Sequence, residues 1–263
     1  MRKRPGPALA VLDFSGVLSP GAAAFGERQN LQRALSDSGL TALGLDLAAF
    51  WSEIINPAWP EGSTTAQGYR NLLGEGLLRL AAARGKYPAP EAVFAAADRF
   101  TAAYLRSSAI EPLWAPILQR LLRQQTVVVA TDHYAEATSH IVKQLAALRL
   151  SAVPALEPRS GCILVANSAD LGALKESVSF WEALHRHGIA AAPAVVLLVD
   201  DFGGNEQADD SYAAPEKYAA RKNRTVAAIE NCWNAPVRVY PFVCRQGDTF
   251  PALVSAARDF LLP

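Results

Sequence analysis

Cysteine is scarce in this chain. Its 263 residues include 3, at Cys162, Cys232 and Cys244. So small, odd and scattered a set makes no closed disulfide framework, and none of its spacings is that of a thiolate metal site. A reduced, cytoplasmic setting is expected. Net charge is lacking too, since 25 Lys and Arg balance 25 Asp and Glu. No broad field draws in nucleic acid or an anionic membrane, so the expected partner is a small molecule. The oligomeric state is left open between monomer and homodimer. Long apolar runs are missing: nothing approaches the roughly 18 unbroken residues of a membrane span. The start, Met1-Arg2-Lys3-Arg4 before Ala8–Leu12, has the outline of a secretion signal. The apolar run is short, however, and Asp13 ends it, so it reads as a buried strand behind a basic tail. Repeats and low-complexity segments are absent. What remains, at 51% hydrophobic and 19% charged, is the composition of a packed globular chain. Its length suits one large domain or a core with a smaller insertion.

Short apolar runs at Ala8–Asp13, Thr126–Thr131, Cys162–Ala166, Ala194–Asp200 and Val237–Tyr240 read as strands, with Ser151–Leu156 a weaker sixth. They are unbroken rather than alternating, as strands covered on both faces are. Helical patterns follow at Ala135–Leu148, Leu171–His187, Glu216–Asn231 and Phe250–Leu261. This alternation predicts a doubly wound α/β fold with a Rossmann-like parallel sheet. The interval before Thr126 carries no strand signal. It reads as helices at Glu27–Ser38, Leu45–Ile55, Thr65–Arg84, Pro90–Ser107 and Pro112–Gln124, punctuated by Pro57, Pro60 and Gly62. The expected organisation is an α/β core of residues 1–20 and 111–263 with an inserted helical domain of residues 21–110.

In open α/β sheets, ligands bind at the carboxyl ends of the strands. Those ends carry Asp13-Phe14-Ser15-Gly16, Thr131-Asp132-His133 and Asp200-Asp201. Asp170-Leu171-Gly172-Ala173-Leu174-Lys175 opens the helix after the Cys162 strand. Clustered carboxylates repel one another and stay ionised only beside a lysine or a cation. Asp13 with Asp201 makes a hard, all-oxygen environment suited to Mg²⁺.

In order and in context these segments resemble the motifs of the haloacid dehalogenase-like (HAD) hydrolase superfamily. The resemblance covers about residues 8–35 and 112–260. Asp13, Gly16 and Leu18 match the first motif, Thr131 the second, Lys175 the third, and Asp200-Asp201 with Asn205 the fourth. The helical insertion falls where the family's C1 caps sit. The resemblance implies that Asp13 is a nucleophile and that Mg²⁺ is held by Asp13, Asp200, Asp201 and the Ser15 carbonyl. It further implies that Lys175 keeps Asp13 ionised and that Thr131 donates to a transferring oxygen. Phe14, Gly16, Asp132 and His133 become candidates for binding a small, anionic substrate.

One position departs from the pattern. The family's phosphatases place a second aspartate two residues after the nucleophile, as acid and base for the leaving oxygen. Here Ser15 stands there, and a hydroxyl is too weak an acid; general acid–base help is worth roughly 10² to 10⁴ in rate. Val17 also replaces the usual threonine. Three readings stay open: a phosphohydrolase with another proton donor, for which His133 is a candidate; a C–P or C–halogen hydrolase; and a silent binding protein of the same fold. Lys86, the one lysine of the insert, lies on an apparent loop, and Asp200-Asp201 argues for a metal. Trp51, Trp59, Tyr69 and Trp114 read as cap and hinge packing, with an aromatic of the cap facing the substrate as the alternative; His185 and His187 read as a helix end, and Asp209-Asp210 as a solvated loop. Gln207–Arg224 reads as an exposed helix of mixed charge, or as a flap whose Lys or Arg meets the substrate.

Overall fold

The computed structural model describes residues 7–189, 192–207, 209–210 and 215–262. The basic tail Met1–Arg4 lies outside them. Six parallel strands form one sheet in the order β3-β4-β2-β1-β5-β6: β1 (Leu9–Leu12), β2 (Thr126–Thr131), β3 (Ala152–Pro154), β4 (Ile163–Asn167), β5 (Val196–Asp200) and β6 (Val237–Pro241). The central β1 pairs with β2 and β5, with Leu12 opposite Val129 and Val199. That register brings the ends of three strands level beside Asp13.

The period of two in the strands sorts their residues to two covered faces. Leu12, Val127, Val129 and Val199 pack against α7 (Ala115–Leu122), α8 (Glu136–Ala147) and α12 (Phe250–Leu261). Val11, Val128, Leu164 and Leu198 pack against α10 (Val178–Arg186) and α11 (Pro215–Trp233). Full burial of each such aliphatic side chain is worth about 1.5–3 kcal/mol, which is why the runs show no polar alternation.

Between β1 and α7 the chain forms α1 (Pro20–Phe25), α2 (Arg28–Ser38), α3 (Leu47–Ala49), a π-helical turn (Phe50–Ile55), α4 (Asn56–Gly62), α5 (Tyr69–Ala83), α6 (Pro90–Ser107) and a 3₁₀ turn (Pro112–Trp114). Helices α2, α5 and α6 and the π turn share a hydrophobic cluster of their own, around Leu35, Phe50, Leu73 and Phe100; Tyr134 of the β2–α8 loop joins it.

Several expectations are corrected. Pro57 and Pro60 do not break the chain into a loop: both are carried within α4, which continues directly from the π-helical turn through Ile55 and Asn56 in the right-handed helical conformation. Helix α1 gave no sequence signal. The single helix expected over Leu171–His187 is two: α9 (Ser168–Leu171) ends at Gly172, whose φ is 69°, and α10 begins only at Val178. Lys175 is therefore on a turn rather than a helix. No helix among the described residues is long and apolar enough to cross a membrane.

Candidate active site

Asp13 follows the last residue of β1, and its N–H still bonds to the Val199 carbonyl at 2.9 Å, so the sheet ladder fixes its backbone. Its carboxylate is buried. Oδ1 accepts from the Phe14 N–H at 2.8 Å and lies 2.9 Å from Lys175 Nζ. The same ammonium donates to Asp200 Oδ2 at 2.7 Å. The turn holding Lys175 is pinned from both sides: its N–H donates to Asp132 Oδ1 at 2.8 Å, and Trp181 Nε1 donates to its carbonyl at 2.7 Å. Burial works against the lysine's charge, but Asp13, Asp200 and Asp132 outweigh it and hold the ammonium well above its ordinary pKa.

The loop after β5 is folded around its own two carboxylates. Asp200 Oδ1 accepts from the Phe202 N–H at 2.7 Å. Asp201 accepts from the N–H groups of Gly203 at 2.9 Å and Asn205 at 3.1 Å. Asn205 ties this loop to the first motif by donating to the Gly16 carbonyl at 3.2 Å. Gly16 has φ 70°, and a Cβ there would overlap Asp201 Oδ2; only glycine permits the two loops to approach so closely.

One carboxylate oxygen from each of Asp13, Asp200 and Asp201 can be chosen so that all lie within 4.8 Å of one another. Burial, then the charges of Asp200 and Asp201, push Asp13 upward against the pull of Lys175. Burial, then Glu206 and Asp200, push Asp201 up to about 8. With Lys175 as the sole ammonium in contact among the described residues, the cluster carries more negative charge than its partners offset. Buried oxygen donors of this kind fit a hard divalent cation such as Mg²⁺.

Asp13 and Asp201 open onto a cavity of about 90 Å³, as do Ser15, Thr131, Asp132 and His133. The other expected residues stand behind it. Phe14 is buried in the core and its N–H is taken by Asp13. Gly16 serves the contact between loops, and Lys175 and Asp200 support Asp13 from below. His133 is not a free acid–base group. The Tyr134 N–H donates to its Nδ1 at 2.8 Å, so its ring hydrogen lies on Nε2, which faces Tyr104 Oη at 2.5 Å. Burial, then His140, lowers its pKa to about 4, so it is neutral at pH 7.

The far wall is aromatic: Phe25, Trp51, Trp59, Tyr69, Tyr104 and Tyr134. The sequence reading placed Trp51, Trp59 and Tyr69 in packing. Here they serve both purposes, whereas Trp114 is wholly core and donates to the Val17 carbonyl. Asp210, expected in a solvated loop, also lines the cavity. The Lys and Arg side chains anticipated from Gln207–Arg224 do not face it among the described residues: Arg221 donates to the Phe202 carbonyl at 2.6 Å and Arg224 pairs with Glu176.

Glu206 went unnoticed in the sequence. It lines the cavity, and the Ser15 hydroxyl donates to its Oε1 at 2.6 Å. Burial raises it to about 7; the bond from Ser15 and the charge of Arg221 lower it, while Asp210 and Asp13 raise it. A carboxyl group therefore touches the residue that replaces the missing aspartate. The one sequence signal available was its place directly after Asn205.

No family model matches the sequence, and comparison with curated proteins gives no match. Solved structures do match. A 2-haloacid dehalogenase from Pseudomonas syringae pv. Tomato DC3000 aligns with 92% of this chain and 89% of its own at a TM-score of 0.53 and 20% identity. A predicted HAD-like family hydrolase from Porphyromonas gingivalis aligns with 96% of this chain and 98% of its own at a TM-score of 0.48 and 14% identity. With its six parallel strands and its helical insertion after the first, the chain has the fold of the HAD-like hydrolases.

Proposed function

We propose that the chain is a Mg²⁺-dependent hydrolase of the HAD type that acts on a small phosphorylated metabolite. The observation that carries this reading is the ion pair of Asp13 with Lys175 beneath a cavity that Asp13 and Asp201 both line. Asp13, Asp200, Asp201 and the Ser15 carbonyl are the groups that would hold Mg²⁺, which when bound offsets phosphoryl charge. Helices α1–α6 act as a cap over the site, excluding water and selecting the substrate.

Both hydrogen bonds to Asp13 fall on Oδ1, so Oδ2 is the attacking atom. It forms a bond to phosphorus as the ester P–O bond breaks, giving an aspartyl-phosphate. Lys175 keeps the attacking carboxylate ionised, and Thr131 donates to a phosphoryl oxygen. Glu206, held at the wall by Ser15, gives its proton to the leaving oxygen. As a carboxylate it then takes a proton from the water that cleaves the aspartyl-phosphate, which restores both residues. This assignment supplies the proton that Ser15 cannot.

Turnover of 4-nitrophenyl phosphate with Mg²⁺ is the direct test. Asp13→Asn is expected to reduce it on the order of 10⁴-fold or more. A wild-type chain that turns over no phosphate ester, phosphonate or haloacid while still binding inorganic phosphate would establish a silent binding protein instead.

A further inference from the structure

Three contacts between the helical insert, which roofs the cavity, and the core fall on one short stretch of the β2–α8 connection, residues 133–136. Tyr104 of α6 meets the His133 ring. Tyr69 of α5 stacks on Tyr134 at 4.2 Å, the two rings within 5° of parallel. Glu136 takes the start of α5: its Oε2 accepts from the Tyr69 N–H at 2.8 Å and its Oε1 from the Arg70 N–H at 3.4 Å. The stretch is itself fixed to the core. The His133 N–H donates to Ser168 Oγ at 2.9 Å, and Asn167 Nδ2 donates to the Tyr134 carbonyl at 2.9 Å.

The first N–H groups of a helix have no partner within it. Helix α3 meets this need inside the insert, since Asp46 accepts from the Ala49 N–H at 2.8 Å, and that bond holds wherever the insert lies. Helix α5 does not. Its N-cap residue is Gly68, which offers no side chain, and its first two N–H groups go to a residue of the core. The approach is close: a Cβ on Gly68 would come within 2.7 Å of Glu136 Oε1. Glu136 also stands in the first turn of α8, so one carboxylate serves the N-terminal ends of two helices, where negative charge is favoured. A side-chain cap is worth about fivefold in an equilibrium. Because this one crosses the interface, that factor is gained only while insert and core are together.

We propose that Glu136 is a latch between the core and the insert. By capping α5 from across the interface it sets how often the cavity opens, and so how fast a ligand enters and leaves. It is a positioning residue: Glu136 does not line the reaction cavity. The stretch that carries it runs directly on from Thr131, which does line the cavity, and from Asp132, which holds the Lys175 turn at 2.8 Å. The inference goes beyond the proposed function and rests on it only where a phosphate mimic is used.

The test compares the full wild-type chain with Glu136→Ala, Glu136→Gln and Asp46→Ala. The last removes a helix cap that lies wholly within the insert. One arm uses no ligand. Ala22→Cys is introduced into each chain, at a buried position that lines the cavity, and its alkylation by iodoacetamide is followed by mass spectrometry, since a reagent reaches a buried group in proportion to opening. Alkylation should be about fivefold faster with Glu136→Ala and unchanged with Asp46→Ala. Glu136→Gln, which keeps an acceptor and loses the charge, should fall between. In the second arm tryptophan fluorescence follows orthovanadate binding with Mg²⁺ by stopped flow. Glu136→Ala should raise the entry and exit rates alike, each by about fivefold, and leave Kd within about twofold. If the wild type does not bind orthovanadate, the phosphatase reading fails and the alkylation arm alone decides the latch. Equal alkylation of wild type and Glu136→Ala overturns it, as does equal acceleration by Asp46→Ala or a weakened Kd with an unchanged entry rate.

Discussion

The floor and the roof of the cavity are built on opposite physical terms. The floor, at the ends of β1, β2 and β5, is a set of buried charges with nearly every oxygen held. Lys175 bridges Asp13 and Asp200 at 2.9 and 2.7 Å, and main-chain N–H groups grip Asp200 and Asp201. The roof is rings in van der Waals and edge-to-face contact, which tolerate displacement. Small errors are costly in the floor, because an unpaired buried charge loses several kcal/mol, and cheap in the roof. On the proposed function, reaction chemistry falls to the rigid side and selection to the adaptable one.

Glu206 sits on the border and gives the most sensitive test of that division. Glu206→Gln is expected to lower kcat/KM for alkyl phosphates by about 10² to 10⁴, while 4-nitrophenyl phosphate, whose leaving group needs no proton, falls far less. The acid must be protonated to act, so wild-type kcat/KM for alkyl esters should fall as pH rises through about 7, and the variant's profile should be flat there. Equal losses on both substrates would remove Glu206 from proton transfer.

Breaking the floor itself is the next largest effect. Lys175→Met leaves Asp13 and Asp200 facing each other and should cost about 3–5 kcal/mol, read as a lower Tm. Asp13, already raised by burial, can take up a proton at acid pH, so the loss should be greater at pH 8 than at pH 5. A loss independent of pH would mean packing rather than charge is at stake.

The wild-type chain should itself show this charge burden. Asp13, Asp201 and Glu206 are all raised on folding. A raised carboxyl contributes stability below its unfolded pKa and loses it as pH climbs through the folded value. Without metal, Tm should thus decline from about pH 4.5 toward pH 8, where millimolar Mg²⁺ should recover several degrees, roughly 2–4 °C per kcal/mol of binding. A Tm at pH 8 indifferent to Mg²⁺ would count against a cation at these carboxylates. The smallest expected effect is at the roof: Trp51→Leu should raise KM by about three- to tenfold and leave kcat within about twofold, as the loss of uniform binding does.

The floor was legible in the sequence because strand ends in an α/β sheet converge by topology, and local composition marks the strands. Leu9–Leu12, Thr126–Thr131 and Val196–Asp200 fall within the apolar runs that announced them. Lys175 was identified but set on the wrong element, since the αL turn at Gly172 interrupts a pattern that otherwise continues as a helix. The roof was not legible. Whether Trp51 or Tyr104 faces a ligand or a neighbouring helix depends on how helices pack, and periodicity fixes only that a face is apolar. Glu206 escaped because its meaning comes from Ser15, a partner 191 positions away.

The π-helical turn Phe50–Ile55 bears on how such a pocket could diverge. A wide turn of this kind is what an α-helix becomes when it accommodates one extra residue, and such turns are frequent at functional sites. Removing that residue would restore the tighter helix and rotate Trp51 relative to Trp59 by roughly 100°, the angular step of one residue. A single deletion would thus redraw one side of the cavity wall without touching Asp13, so on the proposed function related chains that differ in length here should differ in what they accept.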